Sequence, residues 1–271
     1  EMHRIMTGLL SVSSHVGPDG FDYKTGRYNL TDQGWIDSYE FLRTLKNDGV
    51  ILPGYASMDK TLARTMFAQN RAAHYFDGDW MISVWREMGY PDIDYNVAPP
   101  PVPDEGRRGY WYLGIDAGDL FMSSQTEDPE KTARVYRFIH SEEFMSEFVR
   151  RGFGAAPLVT IDNVALTADP RYARIIDFTN TLVKVRPQPE VRNPETGKVN
   201  MPTIHPNAME LMASAFIQDQ DWVEVALELE ARLNEALIQA IERARSEGAS
   251  VSQNDFAFPD WDPMTDYVYS P

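Results

Sequence analysis

Apolar residues recur at helical spacing in several parts of this 271-residue chain. Thr31 or Asp32 can cap a helix that continues to about Asp48, because most of its apolar side chains share one face. The longest such pattern covers residues 221–247, where apolar side chains form a stripe along one side of the predicted helix. The same reasoning predicts further helices that begin near Asp59 and that span 80–88, 128–140, 141–151 and 169–185.

Short apolar runs between these helices predict strands. Residues 22–28 have the composition of a short hairpin, and residues 72–76 and 110–117 are strand candidates. Because helices alternate with short strands, the expected fold class is α/β. Residues 97–103 are rich in proline, which lacks a backbone donor, so we expect an extended hinge crossing between two lobes and not a central strand.

The charge of the chain excludes some partners. Lys and Arg total 25 and Asp and Glu total 41, which gives a net charge of −16. Nucleic-acid recognition needs a basic patch, so no nucleic-acid partner is expected, and an anionic membrane surface is disfavoured for the same reason.

Metal and cofactor chemistry has little support in the sequence. The chain has no cysteine, which excludes disulfides, thiolate zinc sites and cysteine nucleophiles. The histidines show no metal-ligand spacing, so we expect them to be structural or on the surface, and we expect neither a metal nor a cofactor. No apolar run approaches the roughly 18 residues of a membrane-spanning helix, and the printed chain opens without a signal peptide.

A series of motifs in a fixed order carries a family resemblance. Residues 67–73 followed by 76–80 are similar to the pattern F-x-x-G-x-A-A-M-x-x-x-G-x-W, with Asn70 in place of the glycine and His74 in place of the methionine. Five further segments match the approach to a helix, the hinge strand, the G-G-W-x-L-x-I segment, the K-N-P-E-x-A helix start and the G-x-x-P turn of the same family: 23–32, 97–103, 109–115, 128–133 and 152–157.

With these motifs the chain resembles family 1 of the extracellular solute-binding proteins of ABC importers, which includes the maltose-binding proteins. The resemblance implies a two-lobe periplasmic-binding-protein type II fold whose first lobe is partly absent here. Residues 1–97 and 158–271 would then build the second lobe, 98–103 the hinge crossing, and 104–157 part of the first lobe.

The same resemblance implies a function. The protein would capture a mono- or oligosaccharide outside the cytoplasmic membrane, close its lobes on it and deliver it to the permease subunits. It would be extracytoplasmic, in the periplasm or at the cell surface. It would meet the membrane only through a lipid anchor or through the permease.

Seven residues are candidates for ligand binding, and each has an alternative structural role. Trp80 follows a glycine turn and offers a flat ring to a sugar, although tryptophan is also a common core residue. Asp79 beside it can accept bonds from hydroxyl groups. Phe153 lies in cleft or core, and Arg151 either clamps a ligand oxygen or simply complements a helix C-terminus.

The remaining candidates are Tyr110, Trp111 and Tyr112. Side chains alternate along a strand, so Trp111 should point away from the other two and at most one face should line a cleft. The resemblance favours Trp111.

Two other classes of function remain open. A glycosidase needs two carboxylates about 5–10 Å apart with one raised pKa. Asp77 and Asp79 could form such a pair, although Asp77 has the character of a turn residue. No serine-hydrolase, zinc-protease or phosphate-loop motif is present, so we expect no enzyme. A protein-interaction module is the other alternative.

Overall fold

The computed structural model describes residues 2–78, 80–114, 122–167 and 169–269. The chain divides into two compact units, and each forms its own core. Unit 1 comprises Glu1–Ala63, Pro100–Ile115 and Leu182–Pro271, and unit 2 comprises Arg64–Pro99 and Asp116–Thr181.

The described residues form a helix-rich α/β protein with two small sheets. The helices are α1 (Met2–Ser13), α2 (Gln33–Asn47), α3 (Lys60–Ala68), α4 (Met81–Glu87), α5 (Pro129–Ile139), α6 (Glu142–Arg150), α7 (Asn163–Leu166), α8 (Pro170–Leu182), α9 (Pro189–Arg192), α10 (Ala208–Gln218) and α11 (Trp222–Ser246). Short 3₁₀ turns occupy Tyr55–Ser57, Pro194–Lys198 and Gln253–Phe256. The strands are β1 (Phe21–Asp22), β2 (Arg27–Tyr28), β3 (Trp111–Leu113) and β4 (Val183–Val185).

Both sheets have two strands. β1 and β2 pair antiparallel with Phe21 opposite Tyr28, which confirms the hairpin predicted for residues 22–28. β3 and β4 pair in parallel with Trp111 opposite Val183, although more than sixty residues separate them in the chain. This parallel pair brings the residues after the proline-rich segment beside the end of α8.

An aromatic stack forms the centre of unit 1. The rings of Trp35 on α2 and Trp222 on α11 lie parallel at 5.7 Å, and Tyr39 packs 5.9 Å from Trp222. The indole N–H of Trp222 donates to the Leu30 carbonyl at 2.8 Å. All three rings are fully buried or nearly so, so the amphipathic faces predicted for α2 and α11 face one core.

Four helices begin directly after the cap residues that the sequence predicts. Asp32, Asp128, Ser141 and Asp221 each accept a hydrogen bond from a backbone N–H in the first turn of the following helix. These bonds satisfy donors that have no partner within the helix. The predicted helix starts are therefore correct within about two residues.

Unit 2 has a separate apolar cluster. Ile82 on α4 shares it with Val149 on α6 and with Tyr172 and Ile176 on α8. This packing groups residues 64–99 with 116–181, whereas the family pattern predicts 1–97 and 104–157 in different lobes. The chain passes from unit 2 to unit 1 between Pro99 and Pro100, and this boundary lies within the predicted crossing 98–103.

Two predicted strands differ from the structure. Residues 72–76 form no strand, because no other described segment pairs with them. The strand predicted for 110–117 is confirmed only over Trp111–Leu113, and residues 115–117 lie outside the described part. None of the helices in the described ranges is long and apolar enough to cross a membrane.

Candidate functional site

A cleft of about 230 Å³ opens in unit 1 at the start of β3. The end of α1, the loop that follows it, the β1–β2 hairpin and the residue after β4 complete its wall. We call it the aromatic cleft, and its principal lining residues are His15, Asp19, Tyr23, Tyr110, Trp111, Tyr112 and Arg186.

The segment before β3 is fixed against the end of α1. The Arg108 N–H donates to the Val12 carbonyl at 2.9 Å, and the Arg107 guanidinium donates to the Ser11 carbonyl at 3.1 Å. Gly109 is required here, because a Cβ at this position would overlap the Ser14 carbonyl oxygen. The close approach presents residues 110–112 at the cleft.

The β3–β4 pair places the Arg186 side chain at the aromatic cleft. After β4 the Arg186 N–H donates to the Leu113 carbonyl at 2.9 Å, which extends the parallel ladder by one bond. The Arg186 guanidinium lies 4.7 Å from the centre of the Tyr23 ring. Burial, with a smaller contribution from the Asp19 charge, raises the pKa of Tyr23, so this phenol stays a neutral donor.

The three consecutive aromatic residues have different environments. Tyr112 donates to the Pro263 carbonyl at 3.0 Å and packs edge-to-face on Trp261 at 5.0 Å. Burial raises the pKa of Tyr112 as well. The Tyr110 ring has the Arg107 guanidinium 4.8 Å from its centre. Trp111 keeps 53% of its surface exposed, so its ring has the most surface available to a ligand.

Exposure alternates along β3, as expected for a strand. Trp111 is exposed while Tyr112, on the opposite face, is half-buried. All three aromatic residues border the cleft, and the exposed Trp111 is the one that the resemblance favours.

The buried carboxylate of Asp22 is hydrogen-bonded to His15, which lines the cleft. Asp22 accepts hydrogen bonds from the Lys24 N–H at 2.8 Å and the Thr25 hydroxyl at 3.0 Å, and its Oδ1 lies 3.2 Å from Nε2 of His15. Burial opposes ionisation, but the bond and charge of His15 and the two hairpin donors outweigh it. The pKa of Asp22 is therefore held below its usual value.

This environment predicts an acid-sensitive contribution to stability. Folding lowers the pKa, so the stabilisation is complete above the free-aspartate value of about 3.9 and is lost as pH falls through the folded value. Asp22→Asn should cost about 2 kcal/mol of unfolding free energy at pH 7, the scale of hydrogen bonds to a charged group. Urea unfolding between pH 7 and pH 2.5 measures it.

The two proteins should converge in stability as the pH drops below 4. Asp48→Asn, at an exposed position after α2, is the control and should stay within about 0.5 kcal/mol of wild type. A deficit for Asp22→Asn that is constant with pH would mean that the charge of Asp22 contributes nothing.

The other predicted binding residues lie in unit 2. Trp80 precedes α4, exposes 37% of its surface, and its ring covers Gly78. Phe153 is 46% exposed, with its ring 5.8 Å from that of Phe148. Arg151 donates to Glu147 at 2.8 Å on the surface of α6. Asp79 lies outside the described residues.

Several residues of the cleft are not marked by the sequence. His15 and Arg186 carry no motif that distinguishes them from structural or surface residues. No local signal marks Arg186, because β4 carries it to the cleft only through pairing with a distant strand. Asp22 and Tyr23 lie in the predicted hairpin, and Tyr23 also begins the 23–32 segment of the family pattern, so both signals point to this part of the wall.

Comparison with known proteins gives no family assignment: no protein-family model matches the chain, and no curated protein matches it either. Across the described ranges, no group of three or more His, Asp or Glu side chains is arranged to hold a metal ion. The function must therefore be argued from the geometry and charge of the site.

Proposed function

We propose that the chain is the solute-binding component of an ABC importer and that the aromatic cleft of unit 1 binds a neutral sugar. The observation that carries this proposal is the exposed indole of Trp111, which borders the same cleft as three phenol rings and the Arg186 guanidinium. Apolar ring faces with a few well-placed polar groups are typical of small-molecule sites.

The chemistry of the wall matches that of a sugar ring. One face of a pyranose presents C–H groups that pack on an aromatic ring, while its hydroxyl groups need donors and acceptors at the edge. Arg186 and Tyr23 offer donors, and Asp19 offers an acceptor. Arg186 is a cation, and burial raises the pKa of Asp19 on the same wall, so the cleft offers hydrogen-bonding groups to a polar, uncharged ligand.

The volume of the cleft limits the size of the ligand that it can hold. Sites for drug-sized molecules measure about 300–1,000 Å³, and this cleft measures about 230 Å³. A single sugar ring therefore fits better than an oligosaccharide enclosed along its length. A longer saccharide would bind through one terminal ring.

Binding has more support here than hydrolysis. Glycosidases place two carboxyl groups across the scissile bond. Of the described residues that line the cleft, Asp19 is the one with a carboxylate, and Asp22 is engaged by His15 and the hairpin. A ligand that enters this cleft would be held and released unchanged.

The transport role rests on the family resemblance. A two-lobe fold would close around its proline-rich crossing at 98–103, and the closed form would dock on the permease subunits outside the cytoplasmic membrane. A step between the two compact units does fall within this crossing.

A melting-temperature screen tests the binding function. A ligand at a hundred times its Kd stabilises by about 2.7 kcal/mol. For a domain of this size that corresponds to a shift of roughly 5–10 °C. We expect at least one monosaccharide to produce such a shift at millimolar concentration, and chromatography should recover the same sugar unchanged.

Glycerol at equal concentration is the control for non-specific stabilisation and should produce no shift. If no sugar of a broad panel moves the melting temperature, or if the sugar is cleaved, the proposal is wrong.

A further inference from the structure

A second cavity, of about 630 Å³, lies entirely within unit 2 and differs from the aromatic cleft in charge. Four arginine side chains line it, and we call it the arginine cavity. Its basic lining residues are Arg86, Arg150, Arg171 and Arg174.

Arg171 is held rigidly on one wall. Its guanidinium donates twice to Asp169, at 2.9 and 2.8 Å, and lies 4.2 Å from the centre of the Tyr95 ring. These bonds lower the pKa of Asp169, so the carboxylate is ionised. The Asp169 carboxylate occupies two nitrogens of this guanidinium and Nη1 donates to the Ile93 carbonyl at 3.4 Å, so Arg171 contributes a positive charge at a fixed position.

The other three arginines retain donors for a ligand. Arg86 shares Asp169 at 3.2 Å, Arg174 donates to the Asn96 side chain at 3.2 Å, and Arg150 lies 3.6 Å from Glu147. A guanidinium has five N–H donors, so one or two such bonds leave several available. All three side chains reach solvent, which allows a ligand to enter.

The charge at the cavity is not balanced by its own lining. Asp169 is the one carboxylate among the described lining residues, so the four guanidiniums leave an excess of three positive charges. The whole chain carries a net charge of −16, so a basic cavity opposes the general character of its surface. Glu147 pairs with Arg150 from outside the lining, and the four guanidiniums still outnumber these two carboxylates.

We propose that the arginine cavity binds a small multivalent oxyanion, either a phosphate ester or a di- or tricarboxylate. Arginine pairs with both groups through two parallel hydrogen bonds, so the cavity recognises the chemistry they share. Its volume of about 630 Å³ falls within the roughly 300–1,000 Å³ typical of sites for small organic ligands, so there is room for an anion with several oxyanion groups. Thr167 and Asn96 supply further hydrogen-bonding groups at the wall.

This site is independent of the sugar site. The aromatic cleft belongs to unit 1 and the arginine cavity to unit 2, with no lining residue in common. Failure of sugar binding would leave the anion site unaffected, and failure of anion binding would leave the sugar site unaffected.

Calorimetric titration at low ionic strength tests the anion site, with pyrophosphate and citrate as the two probes. We expect at least one of them to bind with one site per chain. The double variant Arg150→Gln/Arg174→Gln should weaken that binding at least about tenfold, because it removes two of the four cations and neither Arg150 nor Arg174 is buried. Circular dichroism should show that the variant keeps its helices.

Arg137→Gln is the matched control. It removes one positive charge, half the change in the double variant, from an exposed position on α5 in unit 2 that does not line the cavity, and it should change the affinity less than twofold. If neither pyrophosphate nor citrate binds, the proposal is overturned. So does an equal loss in Arg137→Gln, which would indicate attraction to the surface at large.

Discussion

Trp222→Ala should lower the unfolding free energy of unit 1 by about 5 kcal/mol. Replacing a buried tryptophan by alanine costs roughly 3–5 kcal/mol through lost burial and the remaining cavity. The Leu30 carbonyl also loses its donor, which adds about 1 kcal/mol or more. Since Trp222 is 1% exposed and stacks on Trp35, neighbouring side chains have little freedom to fill the space.

Urea unfolding followed by far-ultraviolet circular dichroism measures this effect. Trp222→Phe should recover about half of the loss, because a ring remains but the N–H donor does not. Trp111→Ala, at an exposed position in the same unit, should stay within about 1 kcal/mol of wild type. If Trp222→Ala were as stable as Trp111→Ala, the aromatic stack could not be the core of unit 1.

Asp77→Ala should destabilise unit 2 by about 3–5 kcal/mol. Two nitrogens of Arg64 donate to Oδ2 of Asp77 at 3.0 and 2.9 Å, and the Tyr75 hydroxyl and the Gly78 N–H also donate to this carboxylate. The Asp77 side chain is 3% exposed and that of Arg64 is 12% exposed. Removing one partner of a buried pair strands the other charge, which costs on this scale.

A double variant separates charge stranding from loss of packing. Arg64→Met combined with Asp77→Ala should be more stable than Asp77→Ala alone, because no unpaired guanidinium remains. Asp92→Ala removes a carboxylate from an exposed position of unit 2 and should cost less than about 0.5 kcal/mol. Equal stability of Asp77→Ala and Asp92→Ala would contradict the structural role of the Arg64 pair.

The elements that the sequence predicts correctly are those with a local physical signal. Asp32 and Asp128 mark helix starts because a cap depends only on the next three residues. The stripe along α11 depends only on the helical period. No helix is predicted over α10, although the capping box formed by Asn207 and Glu210 is a local signal of the same kind.

Features of the fold that depend on distant contacts are not predicted from the sequence. Residues 72–76 have the composition of a strand, but a strand also needs a partner, and composition does not supply one. The grouping of 64–99 with 116–181 follows from the packing of Ile82 with Val149, which no local pattern encodes.

The candidate site can be predicted from the sequence only in part. The aromatic run at 110–112 marks one wall of the cleft through its composition alone. The opposite wall depends on Gly109 meeting the end of α1 and on β4 placing Arg186, which are contacts between segments far apart in sequence. Trp80, the other aromatic candidate, lies in unit 2.

Calorimetric titration of one sugar into wild type, Trp111→Ala and Trp80→Ala tests the central claim most directly. Stacking contributes about 0.5–1.5 kcal/mol beyond the burial of the ring, and 1.4 kcal/mol corresponds to one decade in Kd. If the aromatic cleft is the sugar site, Trp111→Ala weakens binding at least about tenfold, while Trp80→Ala stays within about twofold of wild type. Full affinity in Trp111→Ala, with the loss appearing in Trp80→Ala instead, would contradict it.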